Sequence, residues 1–465
     1  MAAHPANPTW RARMKWLMNN PLSKLLEYSF AHGVHPQEHK AGTMALSMQR
    51  MPFSSRYLVP VNQHLGAPSK PVVKVGDPVL RGQVIAEPGA FISTCLHSPV
   101  TGRVHAIDNR RYPGGMFSLS ITIESDPYDT QRIPEHPRDW RHLTADQFVA
   151  EIQQAGIVGL GGAAFPSHVK YSIPEGQHID HLLVNGAECE PYLTSDHRLM
   201  VERPDALLKG IEILLHNLGA KSATIGVETN KPDAIATLRE HIGSDSQRIR
   251  VVPLRVKYPQ GAEKMLIKSI FKQEVPAGGL PRDLGIIVNN VGSVVAIADW
   301  FERSMPLIER VVTVAGDGVA KPANLIVPVG TPLREVLRFC EGMQSDISQI
   351  VMGGPMMGTS VVSLDVPVLK GTSGILAFRK LQRTDSREYP CIRCGRCLEA
   401  CPYFLNPSRL ARLAKARLFA EMQSYSVGDC VECGSCTYSC PSGIPIVQLI
   451  RLAKSQLRQS GDTRE

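Results

Sequence analysis

The chain has 465 residues, of which 43% are hydrophobic and 20% charged, with a formal net charge of +8. At about 150 residues per domain this length predicts roughly three domains, and the lack of a long Lys/Arg block excludes a general nucleic-acid binder. The sequence holds no apolar run of about 18 residues and no signal-peptide pattern at residues 1–8, so we expect a chain without a membrane span that stays in the cytoplasm.

The segment of residues 10–28 mixes aromatic, aliphatic and basic residues around Pro21. This pattern favours a short helix that packs on its own domain. A helix that faces a partner or a membrane is the alternative, because Trp10, Trp16 and the nearby basic residues suit an interface. We assign residues 1–52 to an N-terminal extension that carries this helix.

Residues 53–128 read as short β-strands punctuated by Gly and Pro, among them Val72–Val79, Gln83–Ala86 and His97–Val104. This pattern resembles the barrel-sandwich (lipoyl-like) fold, whose carrier members modify a lysine at a hairpin tip. The stretch Glu87–Leu96 between the two halves contains no lysine. We therefore expect a structural module rather than a carrier.

Residues 129–305 alternate between helical and strand-like stretches, which predicts an α/β domain with a largely parallel sheet. The predicted helices are Ala145–Ala155 and Pro204–Leu218, and the predicted strands are His181–Asn185, Ala223–Glu228 and Gly285–Asn289. Residues 306–381 return to strand character and predict a β-grasp-like module, with a strand at Arg310–Val314 and a helix at Pro332–Cys340. The expected fold class is thus multidomain, α/β and α+β.

Residues 382–465 begin with a polar linker and then hold most of the cysteines: eight of the eleven lie between Cys391 and Cys440. They form two runs of the pattern C-x2-C-x2-C-x3-C-P, which is used for cubane iron–sulfur clusters, with the fourth cysteine ligating the other cluster. We assign one 4Fe–4S cluster to Cys391, Cys394, Cys397 and Cys440. We assign the second to Cys430, Cys433, Cys436 and Cys401.

A pair of zinc sites is the alternative, but zinc knuckles need neither the third cysteine nor the trailing Cys-Pro. Helical patterns at Ser408–Met422 and Ile446–Leu457 predict a helical two-cluster ferredoxin domain. Two adjacent clusters form an electron relay and perform no substrate chemistry themselves.

A glycine-rich loop, Gly159–Lys170, fits the pattern G-x-G-x-x-A, but a helical stretch precedes it where a Rossmann fingerprint requires a strand. We interpret it as a loop that approaches a phosphate closely, with Lys170 as the candidate partner. Polar residues also follow two predicted strands, where ligand sites of α/β domains lie. They are Asn185, Glu188 and Glu190 after one strand, and Asn289 and Asn290 at the end of another, with Glu263 as a further acid.

Together these motifs resemble the RnfC family, a component of the Rnf electron-transport complex, over nearly the whole chain from about residue 30. The residues that carry the resemblance are His32–Lys40, Gly159–Lys170, Asn185–Met200 and the two cysteine runs. The middle domain is similar to the flavin subunit of respiratory complex I, where a glycine loop, an acidic loop and an Asn pair surround FMN and NADH.

The resemblance implies roles for individual residues. It places Gly159, Gly161 and Gly162 where the backbone approaches the flavin and the dinucleotide, and Lys170 on the flavin phosphate. Asn185, Glu188, Asn289 and Asn290 would bind the flavin. Phe165 would stack on the nicotinamide nucleotide, with Glu190 and Glu263 lining that pocket. Complex I has Arg where this chain has Leu160 and Gly where it has Ala164.

By this resemblance the chain is a peripheral subunit of an ion-translocating ferredoxin:NAD oxidoreductase. It would carry non-covalent FMN and two clusters, react with NAD(H), and dock on the other Rnf subunits at the cytoplasmic side of a bacterial inner membrane. A relay subunit without an active flavin site and a quinone-reductase-like subunit are the alternatives. The histidines His32, His35 and His39 lie close in sequence, but Gly33 and Pro36 interrupt them and give no regular metal-binding spacing.

Overall fold

A computed structural model describes residues 28–243, 247–379 and 387–459. The predicted helix of residues 10–28 therefore lies outside the described residues except for its last position, and most of the predicted linker lies outside them as well. Within the described ranges, no helix combines the length and the apolar character needed to cross a bilayer.

The first strand, β1 (Met48–Arg50), leaves the N-terminal segment and joins a distant sheet. The following strands build two small antiparallel sheets, of order β2-β8-β7-β4 and β3-β5-β6. Their bounds are β2 (Arg56–Pro60), β3 (Lys70–Pro71), β4 (Pro78–Val79), β5 (Val84–Glu87), β6 (Leu96–His97), β7 (Gly102–Arg111) and β8 (Phe117–Ser125). Alternate residues such as Tyr57, Val59, Ile121 and Ile123 point into a common core.

One strand prediction in this module is wrong. Val72–Val79 was expected to be a strand, but only Pro78–Val79 forms one, and Val72 joins β5 through a single backbone hydrogen bond to Ile85. Val72 and Val75 are exposed. The apolar run does not alternate cleanly with polar residues, and Gly76 adopts a positive φ of 94° in a turn that breaks the strand.

The next unit is the predicted α/β domain. Its elements are α1 (Ala145–Gln154), α2 (Ser167–Tyr171), β9 (His181–Gly186), α3 (Ser195–Glu202), α4 (Pro204–Asn217), β10 (Ser222–Glu228), α5 (Pro232–Ile242), β11 (Ile249–Leu254), α6 (Glu263–Phe271), β12 (Ile286–Asn290) and α7 (Val291–Arg303). The sheet is parallel throughout, as predicted, with order β11-β10-β9-β12. Apolar runs such as Leu182–Val184 form its strands because helices cover both faces.

The strand order of this sheet predicts where a ligand-binding crevice lies. From β9 the chain moves outward to β10 and β11, and then returns to the opposite side of β9 to form β12. The order therefore reverses between β9 and β12. In open α/β sheets, ligands bind beyond the carboxyl ends of the strands at such a switch point.

A six-stranded mixed sheet follows, of order β1-β14-β13-β17-β15-β16. Its remaining elements are β13 (Glu309–Ala315), β14 (Ala323–Pro328), α8 (Leu333–Phe339), β15 (Ile347–Met352), β16 (Thr359–Ser360) and β17 (Gly374–Arg379). Helix α8 packs Leu333, Val336 and Leu337 against this sheet. Sequence analysis did not predict that β1 would pair in parallel with β14, nor that Met51 would enter this core.

The cysteine domain is helical. Its helices are α9 (Arg396–Glu399), α10 (Pro407–Lys415), α11 (Ser435–Tyr438) and α12 (Ile446–Gln459), with 3-10 turns at Ala420–Tyr425 and Val427–Asp429. Helices α10 and α12 share a core that includes Leu410 and Ile450. The predicted helix at Ser408–Met422 is too long: it ends at Lys415, because Arg417 takes a left-handed backbone with φ of 57°.

Candidate functional site

The crevice between β9 and β12 is lined by three asparagines. Asn185 and Asn290 lie side by side in the register of the two strands. The Asn185 amide nitrogen donates to the Gly261 carbonyl at 2.8 Å, and the Asn290 amide nitrogen donates to the Asp196 carboxylate at 2.6 Å. Hydrogen bonds to the protein therefore orient both side chains at the strand ends.

Asn289 differs from its neighbours because one of its polar atoms has no partner. Its Oδ1 accepts a hydrogen bond from the Tyr171 hydroxyl at 2.9 Å, whereas its buried Nδ2 bonds to no described group. A buried donor without a partner costs free energy unless a ligand or a water satisfies it. Asn289 thus holds an unsatisfied buried donor at the end of β12.

The glycine-rich loop lies against the start of α7, at the end of β12. The Gly159 amide donates to the Phe165 carbonyl at 2.8 Å and closes the loop, and the Leu160 amide donates to Ser293 Oγ at 3.0 Å. A Cβ on Gly161 would lie only 2.8 Å from the Asn290 amide nitrogen, whereas one on Gly162 would meet nothing within 4 Å. Gly161 thus permits close packing, and Gly162 leaves an open stretch of backbone.

Two positions of this loop differ from the complex I pattern, and the structure shows what each does. Ala164 has a φ of 53°, a region that favours glycine, which explains why glycine suits this position. Leu160 is buried and belongs to the core of the α/β domain. Phe165, the expected stacking residue, is half-buried at the end of the loop.

Lys170 lies in helix α2 and reaches the same crevice. Its Nζ donates to the Glu263 carboxylate at 2.9 Å and to the Val288 carbonyl at 3.0 Å. The two side chains are 30% and 37% exposed, so this pair is only partly shielded from solvent. The structure thus brings Lys170 and Glu263 together beside β12.

Glu188 serves the protein itself more directly than expected. Its carboxylate accepts from the Asp196 amide at 2.7 Å and from the His197 amide at 3.3 Å, and so caps the N-terminus of α3. Buried Lys40 forms a 4.0 Å ion pair with it and donates to its backbone carbonyl at 2.9 Å. Glu188 therefore shapes the loop after β9.

Glu190 connects this loop to the neighbouring sheet. Its carboxylate accepts from the backbone amides of Met356 and Met357 at 3.0 and 2.9 Å. Burial raises the pKa of Glu190 to about 7, and the two amide hydrogen bonds oppose that shift. The turn at Gly353–Gly358 thus holds this acid.

Two further charged residues of the site, Asp196 and Arg310, carry no recognisable signal in the sequence. Burial, and then the nearby Glu188 carboxylate, raise the pKa of Asp196 to about 7. Burial lowers the pKa of Arg310 to about 10, while Asp196 acts in the opposite direction. Asp196 lies within the quoted motif Asn185–Met200, but no local spacing indicates that its neighbours would come from β12 and β13.

In the first cysteine run, the thiols assigned to one cluster are mutual neighbours. Burial raises the pKa of Cys397, and the nearby thiols of Cys440, Cys391 and Cys394 raise it further. Cys440 is separated from the other three by more than forty positions of the sequence. This proximity supports the predicted sharing of ligands between the two runs.

The second run shows the same arrangement. Burial raises the pKa of Cys436 to about 12, and Cys430, Cys433 and Cys401 add to that shift. Among the described residues, no three His, Cys, Asp or Glu side chains are placed to hold a single metal ion. A cubane cluster makes a different demand, because each thiolate binds a different iron.

The second run also touches the α/β domain. The Tyr258 hydroxyl donates to the Cys433 carbonyl at 2.7 Å. Burial raises the pKa of Tyr403, and Cys433 and Glu263 are among the nearby groups that raise it further. Tyr403 thus lies near both the second run and the crevice.

The three N-terminal histidines have separate partners. His32 Nδ1 lies 3.3 Å from the Leu398 carbonyl, and His35 Nδ1 lies 3.2 Å from the Val256 carbonyl. The His39 ring stacks on Tyr192 with centroids 4.7 Å apart. These contacts give the histidines roles in attaching the N-terminal segment to different parts of the molecule.

Four family descriptions match parts of the chain. They are the RnfC barrel sandwich hybrid domain at residues 28–128, the Nuo51 FMN-binding domain at 152–299, the SLBB domain at 311–360 and the 4Fe-4S dicluster domain at 389–444. These matches confirm the barrel-sandwich, flavin-binding and iron–sulfur units that the sequence predicted.

Curated RnfC relatives cover most of the chain. The relative from the proton-translocating ferredoxin:NAD(+) oxidoreductase complex of Clostridium ljungdahlii is 44% identical over 84% of this chain and 86% of its own length. The relative from the Na(+)-translocating ferredoxin:NAD(+) oxidoreductase complex of Acetobacterium woodii is 40% identical over 86% of this chain and 90% of its own. The relative from the ion-translocating oxidoreductase complex of Rhodobacter capsulatus is 39% identical over 83% and 75%.

Among solved structures, a chain of the NAD+-reducing NiFe hydrogenase is similar at 19% identity and a TM-score of 0.47, over 70% of this chain and 68% of that one. The identity to the curated relatives is about twice as high, and it holds over more than four fifths of this chain. The chain therefore belongs to the RnfC family of the ion-translocating ferredoxin:NAD oxidoreductase complexes.

Proposed function

We propose that this chain is the NAD(H)-reacting subunit of an ion-translocating ferredoxin:NAD oxidoreductase, and that it exchanges electrons between NAD(H), FMN, two 4Fe–4S clusters and its partner subunits. The observation that carries the proposal is the crevice at the switch point of the parallel sheet. There an open glycine loop, an unpaired buried amide and a partly exposed lysine meet.

The residues of the crevice fit a flavin mononucleotide. The unpartnered Asn289 amide can donate to a ring or ribitol acceptor, and Lys170 places a cation where a phosphate can reach it. Asn185 and Asn290 border the same space, and the backbone at Gly159–Gly162 allows a close approach. Bound FMN would supply the exchange between two-electron hydride chemistry and one-electron transfer.

For the dinucleotide we keep the expected set of residues. Phe165 offers a half-buried ring beside the glycine loop, and Glu263 faces Lys170 at the same crevice. Glu190 would act mainly through the position of its loop, because the Met356 and Met357 amides already occupy its carboxylate.

The two cysteine runs would hold two 4Fe–4S clusters, one by Cys391, Cys394, Cys397 and Cys440, the other by Cys430, Cys433, Cys436 and Cys401. Two observations support this assignment. Cys397 and Cys436 each lie near the three other thiols of their assigned cluster, and the ligand spacing is repeated in the two runs. The second site lies next to the α/β domain through Tyr258.

In its assembly we place the chain on the cytoplasmic face of the membrane, peripherally docked on the other Rnf subunits. The curated relatives are named as components of multi-subunit oxidoreductase complexes. We keep the division into units at 1–52, 53–128, 129–305, 306–381 and 382–465, with a β-grasp-like fourth unit, and note that β1 adds residues 48–50 to that unit's sheet.

An anaerobic NADH titration of the isolated chain, reconstituted with iron, sulfide and FMN, tests this function. We expect NADH to bleach the flavin absorbance and then to produce the EPR signals of reduced clusters. If FMN does not bind while dithionite still reduces two clusters, the chain is a relay and docking subunit, and the crevice has been misassigned.

A further inference from the structure

The two cysteine runs form loops of nearly identical backbone but different side chains. The first reads Cys391-Ile-Arg-Cys-Gly-Arg-Cys397 and the second Cys430-Val-Glu-Cys-Gly-Ser-Cys436. Arg393 and its counterpart Glu432 have φ values of 55° and 60°, and the following glycines have 79° and 81°. Because the two backbones are alike, differences between the loops come from their side chains and their surroundings.

The second loop packs against other parts of the same chain. The Tyr258 hydroxyl donates to the Cys433 carbonyl, and a Cβ on Gly434 would lie 3.0 Å from the Met356 carbonyl oxygen. Its one charged residue, Glu432, forms ion pairs with Arg451 at 3.2 Å and Lys454 at 2.9 Å. The chain itself thus covers and neutralises this loop.

The first loop faces outward. Cys391 and Cys394 are exposed, and the Ile392 side chain is 68% exposed. Arg393 and Arg396 are exposed as well, and no described acid forms an ion pair with either. The loop therefore exposes an apolar side chain together with two arginines that no described acid neutralises, and arginine is enriched in protein interfaces.

We propose that the loop at residues 391–398 is the surface on which this chain binds a protein partner that presents an acidic patch beside its own redox centre. This inference rests on the proposed electron-transfer function and names the face that serves it. The exposed thiols leave little protein between the first cluster site and solvent, which suits an electron-transfer contact. The complementary charge would speed the encounter and fix its orientation.

The charge of the cysteine domain and of the N-terminal segment favours a separate protein as the occupant of this loop. Residues 387–459 contain ten Lys or Arg against five Asp or Glu, of which Glu399 lies nearest to the loop in sequence. Residues 1–27 contain four Lys or Arg and only one acid, Glu27. The long N-terminal segment therefore has the wrong charge to cover this loop, and an acidic partner has the right one.

Charge reversal of the loop tests the proposal. The full-length chain, loaded with FMN and clusters, is mixed with membranes that carry the other subunits of the complex after this one has been removed. We expect the double variant R393E/R396E to bind about tenfold more weakly, and the neutral variant R393Q/R396Q to fall between it and the wild type. Binding of the wild type should weaken with added salt, and that of R393E/R396E much less so.

The control is R412E, which reverses one arginine at an exposed position of α10 and so makes half the charge change of R393E/R396E. The single variant R393E is therefore compared with it directly. Iron content and NADH bleaching of the flavin should be unchanged in all variants, because none alters a ligand or the crevice. If NADH does not bleach the flavin of the wild type, the proposed function is contradicted. The docking proposal is still tested in that case, because membrane binding is measured separately.

Three results would overturn the docking proposal. In the first, R393E/R396E binds the depleted membranes as well as the wild type. In the second, R412E weakens binding as strongly as R393E. In the third, the wild type binds protein-free vesicles of anionic lipid as tightly as the membranes, which would make the loop a lipid-binding surface.

Discussion

At the scale of single residues, the crevice combines polar groups that the protein satisfies with others that it does not. The side-chain amides of Asn185 and Asn290 donate hydrogen bonds to protein acceptors, whereas the Asn289 amide has no described acceptor. Lys170 lies between these extremes, because it bonds Glu263 but remains 30% exposed. A ligand phosphate can therefore add to the contacts of Lys170 without requiring a buried group to move.

Replacing Lys170 by methionine should weaken FMN binding about 10-fold to 100-fold, since a charge-assisted hydrogen bond contributes about 1.5–3 kcal/mol. Flavin fluorescence quenching on titration of the apo chain measures this change. The matched control is Lys221→Met, which removes a lysine whose side chain is 80% exposed and pairs with Asp180 on the surface. Equal FMN affinity in the wild type and Lys170→Met would remove Lys170 from the site.

What the sequence could reveal at this scale depended on distance along the chain. Asn185, Asn289 and Asn290 were predictable because each follows a recognisable apolar strand. Asp196 and Arg310 were not, because the two residues influence each other although they lie more than a hundred positions apart in the sequence. The positive φ of Ala164 was not predictable either, since alanine does not normally favour that conformation.

At the scale of elements, the cysteine domain is built from two similar halves. In each, three cysteines lie around a short helix, α9 or α11, and the fourth follows that helix. The fourth cysteine is thus carried away from its own loop and toward the other run. The spacing alone predicts that the two runs exchange their fourth cysteine, because the motif fixes the loop and the helix together.

Cys440→Ala should therefore damage the cluster of the first run, although Cys440 lies in the second. We expect the reconstituted variant to lose the same reduced-cluster EPR signal as Cys394→Ala and to retain the signal that Cys433→Ala loses. Iron content should fall by about half in each case if one of two clusters is lost. A spectrum of Cys440→Ala that matches Cys433→Ala would show that each run holds its own cluster.

Other elements were beyond the reach of sequence patterns. Strand β1 has only three residues and no alternating pattern, and it exists because β14 offers a parallel edge. By contrast α4, with fourteen residues and a periodic apolar face, was predicted to within one residue. Long elements with a periodic apolar face can be predicted from local sequence, whereas short strands form only where a partner strand is present.

At the scale of the whole molecule, the N-terminal segment of residues 28–51 links units that are far apart in sequence. Tyr28 bridges to Leu254 of the α/β domain, and His32 meets Leu398 of the cysteine domain. Lys40 enters the acidic loop, and β1 completes the six-stranded sheet. The relative positions of the crevice and the cysteine domain thus depend on this segment as well as on Tyr258.

The contact of Glu190 with the turn at Met356 and Met357 joins two units through a buried acid, so it should make stability depend on pH. The folded chain holds the Glu190 proton up to a pKa of about 7, whereas the unfolded chain releases it near the ordinary value of 4.5. As the pH rises from about 4.5 to about 7, only the unfolded state loses this proton, so the free energy of unfolding falls by up to about 1.4 kcal/mol per pH unit and then levels off.

Glu190→Gln removes this titration, while it retains an acceptor for one of the two amides. Relative to the wild type, the thermal midpoint of the variant should therefore rise steadily between pH 5 and pH 7 and change little above pH 7.5, as measured by scanning fluorimetry of the apo chain. Glu175→Gln, at an exposed position, should give a flat difference over the same range. Asp196 titrates in both the wild type and Glu190→Gln, so its contribution cancels, and a flat difference for Glu190→Gln would mean that the contact holds the carboxylate in its charged form throughout.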